Sequence, residues 1–203
     1  MLGTASQVPT PYRKDNGYLL RWDGEGLLLN PGEGTQRRFL LAGISASSVT
    51  RLCLTHFHGD HCLGMPGIVQ RLSVDGVRHP VRAYFPASGR EFFGRLRHGC
   101  VFHDVVDLHE EPVEGDGPVA EAAFGVLEAR RLDHSFDAIG YCLVEPDDRR
   151  FVPELLACHG VHTRVITPDN AARALRLQAT AADSMYTFHP EPGPSPSTVS
   201  PKT

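Results

Sequence analysis

From Tyr18 onward the apolar positions fall into short runs, some of strand length and some with helical spacing, separated by glycine, proline or charge. Tyr18-Leu19-Leu20-Arg21-Trp22 predicts a strand, Asp23-Gly24-Glu25-Gly26 a turn, and Leu27-Leu28-Leu29 a buried return strand. After the glycine-punctuated loop Gly32-Glu33-Gly34-Thr35, residues Gln36 to Ala42 have helical spacing, and Gly43 supplies a C-terminal stop. Ser45 to Ser48 reads as a polar link, and Val49 to Leu54 as a buried strand. Gly64-Met65-Pro66-Gly67 opens a helix whose apolar face is Ile68, Val69 and Leu72. Val81 to Phe85, closed by Pro86, predicts a strand, Glu91 to His98 a helix, and Val101 to Leu108 another strand. Asp107 to Glu121 is acidic without Lys or Arg and reads as a solvated loop or hairpin. Phe124 to Leu132 and Ile139 to Val144 predict two strands flanking Asp133-His134-Ser135. Alternating strands and helices, with polar residues on the loops after strands, predict a layered α/β sandwich.

The end of the chain has a different texture. Residues 171–182 are alanine-rich and compatible with a helix, and 190–203 are rich in proline with Ser, Thr and Gly, a composition that predicts disorder. The expected organisation is therefore one domain over 1–170 and a divergent segment over 171–203.

Composition narrows the class. With 203 residues, 41% apolar and 22% charged, the chain suits one sizeable globular domain, and no apolar run is long enough to span a membrane. The N-terminus has neither the basic segment nor the apolar core of a secretory signal. Five cysteines at irregular spacing, with no C-x-x-C pair, fit a reducing cytoplasm rather than a disulfide framework. The net charge of −4 argues against a generally cationic protein, although all but two of the 20 basic residues are arginine, whose fork suits phosphate.

The chemistry concentrates in Thr55-His56-Phe57-His58-Gly59-Asp60-His61, which follows the apolar Leu52-Cys53-Leu54. Histidines two apart on an extended segment point the same way, so His56 and His58 can grip one ion. A turn at Gly59 then redirects Asp60 and His61 towards a second ion. Imidazole and carboxylate are ligands that zinc accepts, and two adjacent cations can clamp both oxygens of a phosphoryl displacement. A chance grouping would need three His and one Asp to coincide within six residues behind a buried strand. The scattered His79, His98, His103, His109, His159, His162 and His189 read instead as surface or hydrogen-bonded residues. His134, between two predicted strands, could close the first site.

H-x-H-x-D-H after an apolar strand resembles the signature of the metallo-β-lactamase superfamily. Leu2-Gly3-Thr4-Ala5-Ser6, Val8-Pro9-Thr10-Pro11-Tyr12-Arg13, Gly32-Glu33-Gly34-Thr35-Gln36, Gly64-Met65-Pro66-Gly67 and Leu132-Asp133-His134 narrow the resemblance to the ribonuclease Z family of tRNA 3′-processing endonucleases, most clearly over 2–160. The resemblance implies a layered αββα sandwich, incomplete in its C-terminal half. It implies two zinc ions, one on His56, His58 and His134 and the other on Asp60 and His61, with Asp60 also the catalytic acid/base. It implies removal of the 3′ trailer of precursor tRNA by a metal-bound hydroxide, in a cytoplasmic homodimer with no membrane partner. Arg13, Arg37 and Arg38 would meet RNA phosphates.

Two departures from the family pattern bear on this reading. Asn30-Pro31 stands where the family usually has aspartate and cysteine, so a weaker supporting bond is expected there. The bridging Asp, the last metal His and the general-acid His are not recognisable after about Arg164. Asp169, Asp183 and His189 are the available substitutes, and the chain alone is expected to be weak or inactive on precursor tRNA. Two other readings stay open: another phosphodiesterase or esterase of the superfamily, and a truncated, inactive family member.

Overall fold

Alternation along the strands decides the layering, because successive side chains of a strand point to opposite faces. The structure, a computed structural model, describes residues 1–22 and 24–145. A five-stranded sheet contains β1 (Tyr18–Trp22), β2 (Glu25–Leu29), β3 (Arg51–Cys53), β4 (Val81–Pro86) and β5 (Leu108–Val113), in that order. The β1–β2 hairpin is antiparallel and the other pairs are parallel. A second sheet is the antiparallel meander β6 (Gly117–Ala122), β7 (Gly125–Leu132) and β8 (Ala138–Val144).

On one face of the larger sheet Leu28, Leu52, Ala83 and Phe85 pack against α1 (Thr35–Leu41), α3 (Met65–Val74) and α4 (Arg90–Arg97), through Phe39, Met65, Ile68, Val69, Leu72 and Phe93. The short α2 (Gly59–Cys62) lies between β3 and α3 in the chain. On the other face Leu27, Cys53, Tyr84 and Val113 meet Phe124 of the β6–β7 turn and Leu127, Ala129 and Ile139 of the smaller sheet. The described residues thus form a helix layer and two sheet layers, in agreement with the expected α/β class.

Parallel strands need crossover connections, and here those connections carry the helices. One consequence is that the loops leaving β2, β3 and β4 emerge at the same end of the sheet, which is where Asn30 and the histidine motif sit.

Three local expectations are corrected. Val101 to Asp107 is not a strand; its polar residues His103 and Asp104 interrupt any alternation. The acidic stretch 107–121 is not a solvated loop or a hairpin. It holds β5 and β6, which belong to different sheets. Its charges are accommodated because Glu110 and Glu121 lie exposed, and Arg131 donates to the Glu114 carbonyl and, through its N–H, to Asp116. The strand expected over Val49 to Leu54 shortens to Arg51–Cys53. The segment 171–203 lies outside the described residues.

Candidate metal centre

The motif begins where β3 ends. Leu54 is fully buried, and its N–H donates to the Tyr84 carbonyl, so the chain is still held at the sheet when it reaches Thr55. The Thr55 N–H donates to Asn30 Oδ1 at 2.8 Å. Asn30 is buried and has φ +47°, a left-handed conformation that asparagine tolerates better than most residues. Its amide oxygen therefore supplies the bond to Thr55, and this supporting contact has normal length where a weaker one is expected from the sequence. The Thr55 carbonyl in turn accepts from the Ile139 N–H at 2.9 Å, which ties the motif to β8.

His56 and His58 converge as their spacing requires. His56 Nε2 and His58 Nδ1 are 3.1 Å apart, and Thr55 Oγ1 is 2.9 Å from His56 Nδ1. With the threonine oxygen accepting the Nδ1 proton, Nε2 of His56 keeps a lone pair directed at His58. His134 arrives from the β7–β8 loop, its ring centroid 4.6 Å from that of His56 and 5.2 Å from that of His58. One ring nitrogen from each of the three lies within 4.8 Å of the others. Burial, followed by the neighbouring imidazoles of His61, His58 and His134, lowers the pKa of His56 to about 4. A neutral imidazole at physiological pH is the form that ligates a cation. The donor set and its convergence fit one metal ion.

Asp60 and His61 make a second pair. Asp60 is buried at the start of α2, and its Oδ2 accepts the Gln7 N–H at 2.9 Å and lies 3.4 Å from His61 Nε2. Burial alone would raise its pKa, but the Gln7 N–H and the His61 imidazole outweigh that and hold the carboxyl below its ordinary value. Burial lowers His61 as well, with Asp60 opposing. Asn16 Nδ2 is 3.1 Å from His61 Nδ1, while the buried Asn16 Oδ1 has no partner. Turning the amide over would place its oxygen against Nδ1 and leave the lone pair on Nε2, beside Asp60. Beneath them Asp15 is buried with Oδ1 unpartnered, and burial, then the charges of Glu33 and Asp60, raise its pKa. Among the described residues no third His, Cys, Asp or Glu joins Asp60 and His61 in a cluster. Asp169, Asp183 and His189 lie outside the described residues.

Close backbone packing fixes this corner. A Cβ on Gly64 would meet the Gly32 carbonyl at 2.0 Å, and a Cβ on Gly32 would meet the Asp60 carbonyl at 2.2 Å. The glycines of the Gly32-Glu33-Gly34 and Gly64-Met65-Pro66-Gly67 stretches thus let two loops touch beside the motif.

A model of the metallo-beta-lactamase superfamily matches residues 13–136. The chain belongs to that superfamily. Within it the chain is 55% identical over 161 residues to the ribonuclease Z of Streptomyces avermitilis, covering 79% of this chain and 54% of that relative. It is 50% identical over 196 residues to the ribonuclease Z of Nocardia farcinica, covering 96% of this chain and 64% of the relative, a longer stretch than 2–160. The chain spans about half to two thirds of the length of these superfamily members. The crystal structure of human tRNase Z, short form, superposes with a TM-score of 0.62 at 27% identity, covering 71% of this chain and 63% of that one. The resemblance drawn from the motifs is borne out, and so is the metallo-β-lactamase fold.

Sequence reasoning missed Gln7, Asn16 and Asp15. Gln7 acts through its backbone N–H and has φ +65°, neither of which its side chain announces. Asn16 precedes Gly17, a pair that signals only a turn. Arg38, expected to face RNA, donates instead through Nε to the Leu2 carbonyl, whereas Arg13 and Arg37 are exposed.

Proposed function

We propose that this chain carries the zinc half-site and catalytic carboxylate of a ribonuclease Z-type endoribonuclease, which removes the 3′ trailer of precursor tRNA. The observation that carries the reading is the convergence of three imidazoles in a chain 50–55% identical to ribonuclease Z sequences. His56, His58 and His134 would hold one zinc. His56 Nε2 and His58 Nδ1, 3.1 Å apart, are close enough for both to serve one ion. Zinc, when bound, supplies a Lewis acid that polarises a phosphoryl oxygen and lowers the pKa of water.

The chain's own residues do the rest. Thr55 orients His56, and Asn30 holds Thr55. Asp60, kept ionised by the Gln7 N–H, takes the proton of the attacking water at Oδ2 or its partner oxygen. Asp60 and His61 also offer two donors to a second zinc. Arg13 and Arg37 contact RNA phosphates. The same similarity supports a homodimer working in the cytoplasm. No helix among the described residues is long and apolar enough to cross a membrane.

The test is single-turnover cleavage of a precursor tRNA by zinc-loaded protein in excess. The product should end at the discriminator base, EDTA should stop the reaction, and added zinc should restore it. Cleavage that proceeds equally well without zinc, or a purified chain that takes up no stoichiometric zinc, would sink the reading; slow turnover agrees with the C-terminal departures from the family pattern.

A further inference from the structure

The β7–β8 loop carries a second group beside its histidine. Residues 131–137 are all exposed, and among them Phe136 keeps a large apolar ring 64% accessible. That ring is not free-standing. It meets His58 nearly at right angles, with centroids 4.9 Å apart and planes at 78°. The Phe136 N–H lies 3.3 Å from His134 Nδ1, so the ring and the third imidazole of the cluster share one turn of chain. Asp137 next to it accepts from Ser88 Oγ at 2.6 Å, which pins the loop to the segment before α4. That same segment contains Gly89, which has no room for a Cβ because Phe57 presses against it. Phe57 leans in turn on Phe92, another exposed ring, at 5.9 Å. Two exposed aromatic rings, Phe136 and Phe92, are thus joined to the histidine motif through His58 and Phe57.

An exposed Phe buries little area and gains little for the fold. Packed against His58 and still 64% accessible, it offers exposed aromatic surface beside the imidazole cluster. A nucleobase is one sugar removed from its phosphate. A phosphodiester brought to the His56–His58–His134 cluster therefore carries its flanking base into the space over Phe136. Single-stranded RNA is held through such aromatic faces, which accept any base.

We infer that Phe136 is the stacking partner for the base flanking the scissile phosphate. The inference rests on the proposed endoribonuclease function and adds a specificity-neutral positioning contact to it. Phe136 acts on the substrate, and its contact with His58 serves to hold the ring upright.

Binding tests this without relying on turnover. Zinc-loaded full-length protein is titrated against precursor tRNA by filter binding, with Phe136→Ala, Phe136→Tyr and the remote exposed Val74→Ala as comparisons. Phe136→Ala should weaken binding about fivefold to twentyfold, from the lower range of base–aromatic stacking. Phe136→Tyr and Val74→Ala should bind like the wild type, and zinc content should stay equal across all four. A Phe136→Trp variant in a Trp22→Phe background, where Trp22 is the chain's single tryptophan, should lose emission when a short single-stranded oligoribonucleotide is added. Unchanged affinity in Phe136→Ala, or unquenched indole emission from the Phe136→Trp variant while RNA is bound, overturns the inference and leaves the endoribonuclease reading standing. A loss of zinc in Phe136→Ala, with affinity falling only in proportion, also overturns it and makes the ring a prop for His58. If the wild type binds no precursor tRNA, the endoribonuclease reading itself fails and the stacking role falls with it.

Discussion

His56 and His58 leave the sheet in a loop bound on several sides, whereas His134 rides on exposed chain between β7 and β8. The first loop donates to Asn30, accepts from β8, receives the Gln7 N–H on Asp60 and rests on the backbone of Gly32. His56 and Asp60 are buried. The second loop, residues 133–137, is exposed throughout, and its side chains are tied, among the described residues, by Ser88 to Asp137 and by two long contacts to His134 Nδ1. One side of the cluster is pre-organised by the fold. The other side is held by exposed contacts that water can also make, so a cation gripped by all three imidazoles would add a bond that water does not replace. A metal bound there would tie the loop after β3 to the β7–β8 loop.

The largest effect expected separates the two contributions directly. His56→Ala with His58→Ala should abolish stoichiometric zinc, since one remaining imidazole is not a site. His134→Ala should weaken zinc while leaving a measurable affinity from the pre-organised pair. Titration with a chromophoric zinc competitor measures both, and equal losses would erase the proposed difference between the loops.

Asn30→Ala comes next. It orphans the Thr55 N–H and places alanine at φ +47°, so a destabilisation of about 2–4 kcal/mol is expected in chemical denaturation. Asn30→Asp, which keeps an acceptor oxygen, should recover most of that. A loss under about 0.5 kcal/mol would mean that the loop is not held through Asn30.

The third effect is a pH dependence of the zinc-free protein. His56 titrates near 4 when folded and near its ordinary value of 6.5 when unfolded, so the unfolded chain binds more protons between these values. The contribution is fully present above about pH 6.5, declines as pH falls, and levels off below about pH 4. By pH 5 the loss amounts to something on the order of 2 kcal/mol. Thermal melts of wild type and His56→Gln across pH 8 to 5 should diverge by that amount; parallel curves would contradict the burial of His56.

The smallest effect belongs to the exposed side. Ser88→Ala removes the bond to Asp137, and at an exposed position this should cost about 0.5 kcal/mol or less. A loss above about 1.5 kcal/mol would show the β7–β8 loop to be as firmly built as the one after β3.

Much of this is legible in the sequence, for identifiable reasons. Tyr18–Trp22 and Val81–Pro86 appear where alternation and flanking turn residues agree, and α1 and α3 where helical spacing meets a glycine or proline boundary. His56 and His58 are readable because their spacing converts directly into direction. β5 is not: Leu108-His109-Glu110-Glu111-Pro112-Val113 is an edge strand of the described sheet, and its pairing with β4 overrides an acidic, proline-containing sequence. The hidden parts of the site are hidden for a similar reason. Asn30 works through a rare backbone angle and Gln7 through a main-chain N–H, and both depend on neighbours distant in the chain.

That distance has a bearing on the order in which the molecule assembles. The Tyr141 hydroxyl donates to the Leu54 carbonyl across 87 residues of sequence, next to the bond between Ile139 and Thr55. The helix layer and β1–β4 can collapse on contacts much nearer in the chain. The meander must close its long loop before these two bonds, or His134, can form. During refolding, a probe of the three-imidazole cluster would therefore report the docking of β7 and β8, at the slow end of the process. A nascent chain would hold the histidine pair well before it had anything to complete it.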